Sequence, residues 1–264
     1  MGFLLVRLPR NPTHEGGPST RGLLLGYSGS LAFVAGCVNA VALLVLAFPV
    51  GNLTGVTTQL GMNTANPWLY EGHLLAAILL GFWGGAMTAG VILGTNQHPT
   101  QATHAAMLTM EAALLVLAAL GENAEAQGYI AGLGIEPPVV QALFAAAALG
   151  LQNGLTSSFR GMAIRTTHFT GTVTDLGLML GRSRRQGIDK WKLAVLSVTL
   201  LLFLVGGATG LLFGNWLSGY AFVAPAAICL IMAGSYSVPS RRLVAASEDT
   251  RATQPAGEKA PASV

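Results

Sequence analysis

The chain has 264 residues, of which 52% are hydrophobic and 9% are charged. Soluble domains carry roughly 25% charged residues, so this composition excludes an ordinary soluble enzyme and indicates a membrane protein. The formal net charge of +3 does not indicate nucleic-acid binding, because the basic residues flank apolar segments, as topology signals do. Cys37 and Cys229 lie in apolar segments without metal-ligand spacing, so we expect no disulfide, no metal and no cofactor.

Six apolar segments come close to the roughly 20 residues that a helix needs to cross a bilayer core of ~30 Å. In chain order, the predicted spans are residues 23–48, 74–94, 104–120, 139–157, 193–216 and 221–236. We predict that residues 1–22 form a flexible basic tail and that the polar residues 238–264 form a disordered cytoplasmic tail. Residues 121–138 carry Glu122, Glu125 and Glu136 but no basic residue, so we expect an acidic external loop there.

Two short polar stretches in the chain resemble each other. Residues 54–61 read Thr-Gly-Val-Thr-Thr-Gln-Leu-Gly and residues 170–177 read Thr-Gly-Thr-Val-Thr-Asp-Leu-Gly, with five of eight positions identical at an offset of 116 residues. Each follows an apolar segment with Gly-x-x-Asn, which ends at Asn39 or Asn153, and Gly-Gly-Ala recurs at residues 84–86 and 206–208. The pattern predicts an all-α membrane protein of about six transmembrane helices plus two short broken or re-entrant Thr-Gly helices. We expect two membrane repeats, residues 23–120 and 139–237.

The Thr-Gly stretches are too short to be ordinary spans. From Thr170 to Arg182 a helix rises only about 18 Å, so each stretch is either a re-entrant half-helix or a short tilted span. No Lys or Arg lies between Arg21 and Arg160. With re-entrant stretches and a cytoplasmic N-terminus, all basic clusters lie inside and the acidic loop outside, as the positive-inside rule requires. We therefore prefer an inverted 3+3 repeat, a recurring transporter plan, and keep a parallel 4+4 repeat as the alternative.

The motifs around these stretches resemble a known family. Phe33-x-x-Gly-x-x-Asn39 precedes Asn52-Leu-Thr-Gly55, and Gly150-Leu-Gln-Asn-Gly154 precedes Arg165-Thr-Thr-His-Phe-Thr-Gly171. They are similar to motifs of the YoaK-like family of bacterial multi-pass membrane proteins, a domain of unknown function, over about residues 23–242. That family usually has an acidic residue in place of Asn39 and Thr-Gly-Asn in place of residues 54–56. The resemblance implies a multi-pass protein of the bacterial inner membrane and supplies no established substrate.

The polar residues of the two repeats are the candidate site residues. A threonine can cap a helix and a glycine allows close approach, so a half-helix that begins inside the membrane would present N–H groups and a positive dipole end to a solute. We predict a substrate site formed by Asn39, Thr54, Gly55, Gln59, Gln152, Asn153, Thr170, Gly171, Thr174 and Asp175. For each of these residues taken singly, helix packing is the competing interpretation.

Two carboxylates in predicted membrane segments are candidates for proton or ion coupling, because an ionisable residue there costs ~3 kcal/mol or more. Glu111 lies in the third span and Asp175 in the second Thr-Gly stretch. The alternative for Asp175 is a salt bridge to Arg165 or Arg182 at the cytoplasmic interface. The alternative for Glu111 is a pair across the bundle with a basic residue of the second repeat. These residues are Arg160, Arg165 and His168.

We predict a transporter or channel that holds a small solute or ion between the two repeats. The alternative is a non-transporting membrane sensor or assembly protein, in which the Asn and Thr residues bond only to one another. The sequence has no nucleophile elbow, Walker loop, HExxH or CxxC motif, so we expect no enzymatic activity. The expected partners are the lipid bilayer and an unidentified small solute or ion, not nucleic acid, and a homo-oligomer stays among the alternatives.

Overall fold

The structure, a computed structural model, describes residues 18–94, 100–157 and 166–235. The helices are α1 (Pro18–Leu46), α2 (Leu53–Ala65), α3 (Gly72–Leu93), α4 (Gln101–Leu120), α5 (Ala124–Gly132), α6 (Pro137–Ser157), α7 (Phe169–Gln186) and α8 (Lys190–Leu217). A 3-10 turn, Ser218–Phe222, follows α8, and residues 223–235 form a last helix, α9. These ranges contain no β-strand, which confirms the predicted all-α class.

Five helical segments are long and apolar enough to cross a membrane. They are Leu24–Leu46, Gly72–Leu93, Gln101–Leu120, Pro137–Ser157 and Lys190–Ser235. The first four match the first four predicted spans to within a few residues, whereas the predicted fifth and sixth spans share the last segment, where the turn at residues 218–222 separates them. The chain is therefore a multi-pass all-α membrane protein.

Several element boundaries differ from the predicted ones. α1 begins at Pro18, so residues 18–22 belong to a helix and not to the tail in which we placed them. The acidic loop contains α5, whose N-cap Asn123 accepts hydrogen bonds from two amides of the first turn, and α6 already begins at Pro137. Residues 1–17, the predicted tail at 238–264, and both Arg160 and Arg165 lie outside the described ranges.

The helix α1 packs along α8, and the two helices run parallel. Contacting residues advance together along both of them: Phe33 with Gly206, Cys37 with Gly210, and Leu44 with Gly214. Glycine permits the contact, since a Cβ on Gly36 or Gly206 would collide with a backbone carbonyl oxygen of the other helix. In lipid, where apolar burial gives no drive for association, such close backbone packing is a main source of helix–helix attraction.

The helices α3 and α6 form a second parallel pair with the same kind of contact. Here Gly81 lies against Leu143, Gly85 against Ala147, and Gly154 against Ala89. A Cβ on Gly85 would collide with the Ala147 carbonyl oxygen, and one on Gly150 with the Phe82 carbonyl oxygen. The largest helix contacts therefore join α1 to α8 and α3 to α6, not neighbours in sequence.

The two parallel pairs run in opposite directions. Tyr27 and Leu31, early in α1, share a hydrophobic cluster with Leu151 and Leu155, late in α6. The side-chain amide of Gln152 also donates a 2.9 Å hydrogen bond to the Leu31 carbonyl oxygen. Because α1 and α6 are antiparallel, α8 runs with α1, and α3 runs with α6.

The helices α4 and α9 complete the bundle. Gln141, near the start of α6, donates a 3.1 Å hydrogen bond to the carbonyl oxygen of Ala118, near the end of α4, so these helices are antiparallel. Phe222 shares a cluster with Ala118, and Ala233 shares one with Met107, more than two turns earlier in α4. Helix α9 therefore runs antiparallel to α4, and the turn at residues 218–222 reverses the chain.

The bundle has a basic end and an acidic end. The basic end holds Arg182, Arg184, Arg185, Lys190 and Lys192, at the end of α7 and the start of α8. Because α1 runs parallel to α8, it also begins at the basic end. The acidic end holds Glu122, Glu125 and Glu136, between α4 and α6. At this end α3 and α6 begin, and an ion pair of 2.7 Å joins His73 to Glu136.

Candidate functional site

The starts of the two short helices meet at Gly51, just before α2. The Gly51 amide donates a hydrogen bond of 2.7 Å to Oδ1 of Asn39 on α1. A Cβ on this buried glycine would lie 3.0 Å from Cγ2 of Thr167, two residues before α7, and 3.0 Å from Cδ1 of Leu149 on α6. Only a glycine fits this approach without displacing its neighbours. The two breaks in the chain therefore touch inside the bundle.

From this meeting point α2 and α7 run to opposite ends. The 13 residues of α2 lie between the end of α1 and the start of α3, both at the acidic end. The 18 residues of α7 lie between the end of α6 and the start of α8, both at the basic end. The side-chain amide of Asn153, late in α6, donates to Oγ1 of Thr167 and so anchors the start of α7, as Asn39 anchors the start of α2.

Two open cavities adjoin the meeting point. The first, of about 360 Å³, faces α3 and α6, and the second, of about 420 Å³, faces α1 and α8. Both are lined by Gly51, Asn52, Thr167 and Thr170. The first is completed by Leu53, Thr54, Phe82, Ala86, Asn153, Gly154, Ser157 and His168. The second is completed by Gly36, Asn39, Ala40, Leu43, Pro49, Phe169, Phe203 and Gly207.

The lining of the first cavity is mainly polar and that of the second is mainly apolar. Neither cavity is lined by a carboxylate or by a Lys or Arg side chain. The first N–H groups of a helix have no acceptor within the helix and carry the positive end of its dipole. Since α2 and α7 both begin at the cavities, the arrangement suits a small anion or a neutral polar solute better than a cation.

The glycines of the two Thr-Gly pairs have a local role. Asn52 caps α2, and its Oδ1 accepts a 3.3 Å hydrogen bond from the Gly55 amide. A Cβ on Gly55 would lie 3.0 Å from Nδ2 of Asn52, and one on Gly171 only 2.7 Å from Nε2 of His168, the N-cap residue of α7. In both helices glycine thus lets the side chain of the N-cap residue lie over the first turn.

Of the residues predicted to bind substrate, Asn39, Thr54, Asn153 and Thr170 line the cavities, and Gly55 and Gly171 lie beside them under the caps. Gln59, Gln152, Thr174 and Asp175 are not among the lining residues. The fully buried Gln152 bonds to Leu31 and Thr166, which is a packing role. Thr174 donates 2.8 Å to the Thr170 carbonyl oxygen one turn earlier in its own helix.

The two predicted coupling carboxylates lie apart from the cavities. Asp175 forms a 3.0 Å ion pair with Lys192 of α8, and both side chains are nearly half exposed. Arg182 is therefore not its partner. Glu111 is buried in α4, where it hydrogen bonds to Cys229 of α9, and its Oε1 lacks a hydrogen-bond partner in the described part of the chain. Neither of the ion pairs found there includes Glu111.

Sequence reasoning missed several cavity residues. Gly51 and Thr167, and likewise Asn52 and His168, stand at the same 116-residue offset as the Thr-Gly stretches. An alignment continued three residues towards the N-terminus would have found them. The apolar lining residues Phe82 and Phe203 also correspond, at an offset of 121 residues. Because each is an apolar residue within an apolar span, the sequence does not indicate that it lines a cavity.

The fold and its interior define a class: a multi-pass all-α membrane protein whose two helix breaks meet beside two cavities. No three potential metal ligands cluster within the ranges that the structure describes. A family model for a protein of unknown function (DUF1275) matches residues 28–235. The chain belongs to this family, which confirms the resemblance to the YoaK-like proteins. Comparisons with curated proteins and with solved structures found no match.

Proposed function

We propose that the protein is a transporter or channel for a small solute or ion, with its polar site where α2 and α7 meet. The observation that carries this proposal is the pair of cavities at the starts of α2 and α7. From there the two helices run to opposite ends of the bundle. Broken helices that meet near the midplane are a recurring way for a membrane protein to bind a solute there. The lining favours a small anion or a neutral polar solute.

We further propose that the chain is an inverted 3+3 repeat, with α1, α2, α3 and α4 equivalent to α6, α7, α8 and α9. Three relationships support it. Equivalent helices α1 and α6 run antiparallel. The break after each of them is held by an Asn of that helix, Asn39 or Asn153. The glycine contacts are reciprocal, since Gly36 meets the Phe203 carbonyl oxygen and Gly150 meets that of Phe82.

The proposed location is the bacterial inner membrane, with both termini in the cytoplasm. Helix α1 begins at the basic end, and α9, which runs opposite to α8, ends there. The positive-inside rule places Lys- and Arg-rich segments in the cytoplasm. The acidic end, which has no described Lys or Arg, then faces outward.

Proton coupling through Glu111 is the remaining part of the proposal. Glu111 is 1% exposed and its neighbours in α4 belong to two hydrophobic clusters, so a charge there is expensive. A side chain retained at that cost is by default a functional hypothesis. Asp175 stays a second candidate, although its ion pair with Lys192 supports a structural role.

Flux measurements in proteoliposomes test the proposed function. Vesicles with and without the protein would be compared for entry of labelled chloride, phosphate, acetate and glycerol. We expect faster entry of at least one of these probes with the protein. Thr54→Val and Thr170→Val should slow that entry at least several-fold, because both hydroxyls line the cavities.

The matched control is Thr64→Val, at the far end of α2, where the hydroxyl bonds only to its own helix. It should leave the flux unchanged. A sensor or assembly protein would give a different result. Cysteines placed at Thr54 and Thr170 would then react with a water-soluble reagent from one side only, and no probe would alter the rate.

A further inference from the structure

Helix α7 has an apolar face that no other described element covers. None of its residues from 169 to 185 is buried. Its principal neighbour is α8, which it meets through the Phe169–Phe203 ring contact, with centroids 4.2 Å apart, and through the Asp175–Lys192 pair. Beside these contacts, Val173, Leu178 and Leu180 are about half exposed. In a membrane protein such side chains contact acyl chains.

The same helix ends in a group of cations that have no acidic partner among the described residues. Arg182, Arg184, Arg185 and Lys190 are exposed, and neither ion pair formed among the described residues includes them. The nearby carboxylates have other partners. Asp175 pairs with Lys192, and Asp189 caps α8 by accepting hydrogen bonds from two amides. The three arginines also interact favourably with the negative C-terminal end of the α7 dipole, but that interaction leaves their guanidinium groups available to a ligand.

The apolar and cationic groups are aligned along α7. Leu178, Arg182 and Arg185 are spaced i, i+4, i+7 and share one face, and Val173, Leu180 and Arg184 share a second face about 140° around the helix. From Val173 to Arg185 the helix rises about 18 Å, close to half of a ~30 Å bilayer core plus its interface. Each apolar stripe thus lies at acyl-chain depth and ends in a guanidinium group at phosphate depth.

We propose that the α7 lipid surface, made of the stripe Leu178, Arg182 and Arg185 and the stripe Val173, Leu180 and Arg184, binds anionic phospholipid in the leaflet at the basic end. Guanidinium groups form paired hydrogen bonds with phosphate oxygens, and the stripes below them hold the acyl chains. A soluble phosphate would use only the cations, and a zwitterionic lipid would supply no net charge. The proposal does not depend on whether the protein transports a solute.

The test is displacement of a fluorescent phosphatidylglycerol from the full chain in a neutral detergent. We expect unlabelled phosphatidylglycerol to displace it, whereas phosphatidylcholine and soluble glycerol 3-phosphate at equal concentration do not. Arg182→Gln/Arg184→Gln/Arg185→Gln should weaken binding at least ten-fold, since each basic residue near an anionic surface contributes about 1 kcal/mol.

Three results would overturn the proposal. Displacement by glycerol 3-phosphate would indicate a free-phosphate site, displacement by phosphatidylcholine would indicate unspecific lipid contact, and unchanged affinity of the triple Gln variant would place the lipid elsewhere on the protein. The lipid comparison uses the native protein, so it decides the matter even if the triple variant does not fold. Arg182→Lys/Arg184→Lys/Arg185→Lys keeps the charge and should retain most of the affinity.

Discussion

The Gly51 amide donates a hydrogen bond of 2.7 Å to Oδ1 of Asn39, and this bond ties the break before α2 to α1. Asn39→Ala leaves a buried amide without its acceptor, which costs about 1–3 kcal/mol. Thermal unfolding of the purified protein, followed by tryptophan fluorescence, measures the difference. The control is Thr58→Ala, whose exposed hydroxyl bonds only to the Thr54 carbonyl oxygen; equal melting temperatures for the two alanine variants would refute the role of Asn39.

The close glycine contacts predict which Gly→Ala variants fail. A methyl group on Gly85 or Gly206 would collide with a carbonyl oxygen of the partner helix, so we expect each variant to lose about 1–3 kcal/mol of stability. A Cβ on Gly84 or Gly90 would have no neighbouring atom within 4 Å. Alanine there should be neutral or stabilising by up to about 1 kcal/mol, since glycine is the poorer helix former. Melting temperatures of the four variants check this, and a loss at Gly84 as large as at Gly85 contradicts it.

The paths of α2 and α7 predict that the loops beyond them lie on opposite sides of the membrane. Single cysteines at Pro67, after α2, and at Ile188, after α7, should react with an impermeant maleimide from opposite faces of sealed vesicles. The native protein is the control, because Cys37 and Cys229 are both buried and should not react. Labelling of both positions from one face would favour the parallel 4+4 arrangement.

Replacing Glu111 tests the proposed coupling. Glu111→Gln keeps the size of the side chain and removes its proton exchange. We expect solute flux in proteoliposomes to continue within about two-fold while its response to a pH gradient disappears. If the pH response survives in this variant, Glu111 is a packing residue. Thr109→Val, on the exposed side of the same helix, controls for general effects of altering α4.

The ion pair of Asp175 and Lys192 predicts that replacing either residue lowers the stability slightly and by the same amount. Both side chains are nearly half exposed, and such pairs contribute about 0.2–1 kcal/mol. Asp175→Asn and Lys192→Gln should therefore lower the melting temperature equally and slightly, and the loss should shrink in high salt. A loss of flux in Asp175→Asn alone would show that the carboxylate has a second role.

Repetition in the sequence was enough to predict where the helices break. The Thr-Gly stretches correctly placed α2 and α7, and the two Gly-x-x-Asn motifs correctly placed Asn39 and Asn153 beside them. The helix against which each span packs was not predictable. A glycine such as Gly36 or Gly85 indicates that another helix approaches closely, but the sequence does not indicate which helix it is. For the same reason Lys192 was not foreseen as the partner of Asp175. That pairing depends on how α7 lies against α8, which no local pattern encodes.

The packing of α1 on α8 and of α3 on α6 has a consequence for biosynthesis. When the ribosome has completed residue 120, three of the five candidate membrane spans have been made, yet neither α1 nor α3 has met its main partner. Their glycine-containing faces stay exposed to lipid until the second half of the chain is inserted. The first half is therefore expected to be an early target for membrane proteases, and a polypeptide released at residue 120 should be degraded unless the missing half is supplied as a separate chain.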